Sequence, residues 1–86
     1  MSFKTWFVGR DSASDVVLND ASVSRNHCEI TVSGGECVIV DNLSSSGSFI
    51  AVDGKWQRIT NSVVPIETMV KLGKVETTIA KLIRGE

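Results

Sequence analysis

The clearest pattern in the chain is a strict alternation from His27 to Val32. Cys28, Ile30 and Val32 fall on one side and His27, Glu29 and Thr31 on the other. A period of two is the signature of a strand with one buried face. Gly34-Gly35 permits a tight turn with positive φ, and Cys37 to Val40 returns as the partner strand, with Cys37 and Ile39 on the face of Ile30. The same reasoning predicts short strands at Thr5 to Val8, Val16 to Leu18, Phe49 to Val52 and Lys55 to Ile59, the last two joined by Asp53-Gly54. Met69 to Leu72 and Val75 to Ile83 form a final hairpin around Gly73-Lys74, and Pro65 marks a loop or a sheet edge because it cannot donate to a ladder. No segment reads as a helix. Many short strands with closely spaced turn signals imply an all-β, antiparallel β-sandwich.

Composition narrows the picture. With 86 residues, one domain spanning residues 1–86 is expected. The chain reads as a complete small protein or as a module of a longer one. Net charge is −1, with both signs interspersed, so the basic stripe of a nucleic-acid binder is missing. No stretch is long and apolar enough for a signal peptide or a membrane span, which points to the cytoplasm and no membrane contact. Cys28 and Cys37 are placed on one hairpin, opposite Asp41 and Val32 respectively. That offset is about 13 Å of strand, too far for a disulfide, so two reduced thiols are expected. One His and two Cys are too few for a structural zinc site, and no metal or other cofactor is implied.

Candidate chemistry is concentrated in three clusters at strand ends: Gly9-Arg10, Ser24-Arg25-Asn26-His27 and Ser44-Ser45-Ser46-Gly47-Ser48. They supply guanidinium, hydroxyl and backbone N–H donors, which suit a dianion such as a phosphate. Taken singly, each has a plainer reading: a solvated arginine, a turn cap, a hydrogen-bonded structural histidine, a polar turn. No nucleophile is paired with a base, and the serine run lacks the flanking residues of a P-loop or a hydrolase elbow, so no enzyme is read.

Taken in order, the clusters resemble the forkhead-associated (FHA) domain family. Gly-Arg, then Ser-Arg-x-His, then Asp41-x-Leu43-Ser44-Ser45-Ser46-Gly47-Ser48-Phe49 follow its motifs, and Asp15-Val16-Val17-Leu18 and Val70-Lys71-Leu72-Gly73 also fit. The resemblance covers nearly the whole chain. It implies an eleven-stranded β-sandwich whose end loops bind a phosphothreonine peptide. On that reading Arg10, Ser24 and Ser45 hold the phosphate, and Arg25 and Ser46 stand at the peptide or rim. His27 braces the loops from within, Gly9 is the backbone-permissive partner of Arg10, and Gly47 supports the turn. The partner is a phosphothreonine-containing protein made by a Ser/Thr kinase, and the isolated domain is a monomer.

One departure stands out. The family usually has Asn before the glycine, to hold the peptide backbone; here that residue is Ser46, with a single donor hydrogen. Ser48 replaces the usual threonine, and Asn42 separates Asp41 from Leu43. Two functions therefore remain: a phosphothreonine reader, or a phosphate-independent interaction or assembly domain on the same fold.

Overall fold

Ile30 and Ile39 face each other across the central hairpin, and neither is exposed to solvent. Around this pair the computed structural model, which describes residues 2–85, builds two sheets. The strands are β1 (Lys4–Gly9), β2 (Val16–Val17), β3 (Cys28–Ser33), β4 (Glu36–Asp41), β5 (Ser48–Val52), β6 (Lys55–Ile59), β7 (Asn61–Pro65), β8 (Met69–Leu72) and β9 (Val75–Thr78), followed by α1 (Ile79–Arg84). One sheet runs β2-β1-β3-β4-β7 and the other β6-β5-β8-β9. All pairings are antiparallel except β1 with β2.

The sheets stack through their inner residues. Val8, Cys28, Ile30, Cys37, Ile39 and Val64 of the first meet Ile50, Ile59, Val70 and Leu72 of the second. Fully burying such a side chain contributes about 1.5–3 kcal/mol, so this layer dominates the fold's stability. Cys28 pairs with Asp41 and Cys37 with Val32, as the alternation requires, and both thiols are free and buried.

Four expectations need correction. Nine strands are present among the described residues, not eleven. Residues 18–27 and 42–47 form loops in which side chains supply part of the backbone bonding: Ser22 N donates to Asp20 Oδ1 and Ser44 N to Asp41 Oδ2. Asn61–Pro65 forms an unforeseen edge strand, and Pro65 at its last position agrees with the edge reading. His27 precedes β3 and is buried, although the alternation placed it on the outer face.

The final strand stops at Thr78, short of Ile83. Ile79, Ala80 and Leu82 bury one helical face, Thr78 caps the start by accepting from Lys81 N, and Gly85 closes the end at φ 77°. On a strand Ile79 would point away from Ala80 and Leu82, whereas a helix turn buries all three together, and Gly85 supplies the left-handed stop.

Candidate functional site

Three loops meet at one end of the sandwich: residues 10–15 after β1, 18–27 before β3, and 42–47 between β4 and β5. The 73–74 turn locks in beside them. Arg10 N donates to Ser24 O, Asp11 N to Arg25 O, Asn42 N to His27 O, and Gly73 N to Gly47 O. Lys74 N donates to Ser22 Oγ, fastening the turn to the middle loop.

His27 is the inner brace. It is fully buried, and its Nδ1 accepts from Ser24 N at 3.0 Å. With Nδ1 accepting, the neutral ring carries its proton on Nε2, which donates to Gly47 O at 2.9 Å. One side chain thus ties the Ser24 loop to the Gly47 loop.

Asp41 is a second brace that the sequence reading did not assign. Ser44 Oγ and Ser48 Oγ each donate to its Oδ1 at 2.6 Å, and Ser44 N donates to Oδ2 at 3.1 Å. Ser44 Oγ also accepts from Gly47 N at 3.0 Å. Burial pushes the Asp41 carboxyl up, but the hydrogen bonds from Ser44 and Ser48 outweigh it, and the acid titrates below its usual range. An Asp followed three residues later by Ser is a recognisable loop-closing spacing, and that signal was available in the sequence.

Gly9 is required for a close backbone approach. Its backbone is not in the left-handed region. A Cβ there would lie 1.9 Å from Arg25 O, so the middle loop crosses directly over its Cα. Gly47 does need backbone freedom, with φ at 93°.

Arg10, Ser24 and Ser45 come together at the surface of this frame. Arg10 Nε donates to Val23 O at 3.0 Å, which orients the guanidinium and leaves its two Nη groups without an acceptor among the described residues. Ser24 Oγ accepts from Ser45 N at 3.1 Å, so its own hydroxyl proton stays free to donate outward. Ser45, Ser46 and Arg25 are exposed, and the Ser45 and Ser46 hydroxyls have no partner among the described residues. Nearby carboxylates are occupied: Asp11 accepts from Ala13 N, Asp15 from Phe7 N, Asp20 from Ser22, and Asp41 from Ser44 and Ser48. Arg10, Ser45 and Ser46 thus present donors to solvent, while the Asp41 carboxylate, 8% exposed, is directed inward.

Comparison with known proteins agrees with this frame. The FHA domain family model matches residues 6–73. The glycogen accumulation regulator GarA of Mycolicibacterium smegmatis is 41% identical over 70 residues, covering 81% of this chain and 42% of GarA. The chain thus spans less than half the length of that curated relative. An FHA domain from Chlamydia trachomatis superposes with a TM-score of 0.72 at 31% identity, covering 85% of this chain and 71% of that one. EmbR of Mycobacterium tuberculosis, solved in complex with a low-affinity phosphopeptide, superposes with a TM-score of 0.74 at 29% identity, covering 86% of this chain and 19% of that one.

Proposed function

This chain belongs to the FHA domain family, and on that premise we propose that it is a phosphothreonine-dependent peptide-binding module, reading marks left by a Ser/Thr kinase. The observation that carries this reading is the donor set of Arg10, Ser24 and Ser45 at one surface, with the Asp41 carboxylate beneath it bonded inward. A phosphorylated side chain brings about two negative charges and three acceptor oxygens. The two Nη groups of Arg10 meet two of those oxygens at once, and the Ser24 and Ser45 hydroxyls complete the contact.

Arg25 stands exposed beside this cluster as a rim cation, and Ser46 takes the place at which the peptide backbone is held. His27, Gly9 and Gly47 act through the frame and do not touch the ligand. The module binds and does not turn over substrate.

Ser46 favours one second reading, a phosphate-independent assembly domain, because a single hydroxyl grips a peptide backbone less firmly than an amide. Calorimetric titration separates the two. Matched phosphothreonine, phosphoserine and unphosphorylated peptide mixtures are titrated in parallel. Heat only from the phosphothreonine mixture supports the reader. A folded protein that binds none of them overturns it and leaves the assembly reading.

A further inference from the structure

Arg58 is a cation that the phosphate-facing cluster does not use. It lies on β6 opposite Phe49. A Cβ on Gly47 would meet its Nε at 2.8 Å and its Cζ at 3.0 Å, so the Arg58 side chain lies across the Cα of Gly47, one residue beyond Ser46. Arg58 is exposed, and no carboxylate among the described residues lies within salt-bridge distance of it.

Its surroundings fit an anionic visitor. Arg58 lines a concavity with Asp41, Leu43, Ser44, Ile59 and Thr60, on the flank of the 42–47 loop. Leu43 is 98% exposed and held at φ 54°, which presents an apolar wall in a strained backbone conformation. The Asp41 side chain is only 8% exposed and is bonded to Ser44 and Ser48, so Arg58 supplies the accessible charge. On the far side of Phe49 stands Lys71, with its Nζ 4.6 Å from the Phe49 ring centre and 5.7 Å from that of Trp56. This cationic and aromatic surface contrasts with a chain whose net charge is −1.

We propose that Arg58 reads an acidic side chain of the bound phosphopeptide, in the concavity between Leu43 and Thr60. The proposal rests on the phosphothreonine reading and adds a partner class to it: segments with Asp or Glu close to the phosphothreonine. Leu43 packs on the methylene of that acid while Arg58 pairs with its carboxylate. Because Arg58 abuts Gly47, the acid falls within about one to four residues of the phosphothreonine in an extended peptide.

The test is a titration series with one neutral phosphothreonine peptide and variants carrying a single Asp at each flanking position. One position is expected to tighten binding about three- to fivefold, the scale of an exposed ion pair. Arg58→Ala should erase that gain while keeping the affinity for the neutral peptide, which also shows that the variant is folded. Arg58→Glu should turn the preference at that position towards Lys. Tight binding of the neutral peptide with no acid preference, or a preference that survives in Arg58→Ala, overturns this inference alone. No binding to any phosphothreonine peptide overturns both it and the reading beneath it.

Discussion

The imidazole of His27 and the carbonyl of Gly47 meet at 2.9 Å beneath the loop ends, and the opposite ring nitrogen accepts from Ser24 N at 3.0 Å. The ring is fully buried, so water cannot replace either bond. Replacing His27 with Ala would leave the Ser24 N–H without its partner and Gly47 O with only Gly73 N, and would open a cavity. Each unsatisfied buried group costs about 1–3 kcal/mol. We expect His27→Ala to lower stability by about 2–4 kcal/mol in urea denaturation. A loss below about 0.5 kcal/mol would show that the ring is not a brace.

Gly9 and Gly35 make a matched pair. A Cβ on Gly9 lies 1.9 Å from Arg25 O, which is backbone and cannot swing aside, whereas a Cβ on Gly35 meets nothing within 4 Å. Gly9→Ala must push the middle loop away from β1 and should cost at least about 2 kcal/mol, while Gly35→Ala should stay within about 0.5 kcal/mol of wild type. Thermal melts of the two variants side by side decide this. Equal melting temperatures would contradict the close crossing.

The central hairpin was legible because Cys28, Ile30 and Val32 must share a face with Cys37 and Ile39, and the observed register obeys that constraint. The Ile79–Arg84 helix was not, because Ile79 continues the alternation of Val75 and Thr77 before the backbone changes course. The decision there belongs to Thr78 and Gly85, whose capping roles depend on where the strand ends. At the site, the grouping of Arg10, Ser24, His27, Ser45 and Gly47 was readable as ordered motifs. The Asp41–Ser44 spacing carried a local loop-closing signal, but the added Ser48 bond and the burial of the carboxylate depend on the folded loop. Arg58 sits on a strand distant from every motif, and only the fold lays it across Gly47.

Asp41 gives the fold an acid limit. Burial raises its pKa, the Ser44 and Ser48 hydrogen bonds lower it by more, and the folded value ends below 3.8. A depressed carboxylate pKa means stability that is fully present above the unfolded value and is lost as pH falls through the folded one. Asp20 is also lowered, by its hydrogen bonds from Ser22, so wild type has two carboxylates acting in this window. Asp41→Asn should therefore be less stable at neutral pH and show a shallower loss of stability on acidification to about pH 2.5 than wild type. An unchanged slope would remove Asp41 from the account.

The two thiols should be silent in the native protein. Burial, with smaller contributions from Asp41 and Glu29 that exceed the opposing Ser48 hydrogen bond, pushes Cys28 up to about 12, and burial also raises Cys37. The thiolate is the reactive form, so both sites lack it at neutral pH. Iodoacetamide followed by mass spectrometry should label neither in the folded state and both in denaturant. A native disulfide would block the second result, and the register, with Cys28 opposite Asp41 and Cys37 opposite Val32, leaves no room for one.

Arg10 carries the phosphate in the proposed function, and its geometry makes the prediction sharp. The Val23 carbonyl holds Nε, so the guanidinium is oriented before any ligand arrives. Arg10→Ala removes donors to a charged acceptor worth about 1.5–3 kcal/mol each, and phosphothreonine affinity should fall at least tenfold. Arg10→Lys should recover only part of that loss, because an ammonium cannot keep the Val23 bond and engage two phosphate oxygens together. Affinity in wild type should also weaken as pH drops below about 6, where the phosphate loses its second charge. Because Arg10 is exposed and its one side-chain bond among the described residues is to Val23 O, both variants should stay folded, with stability within about 1.5 kcal/mol of wild type by urea denaturation. Full affinity in a folded Arg10→Ala would move the phosphate site elsewhere on the sandwich.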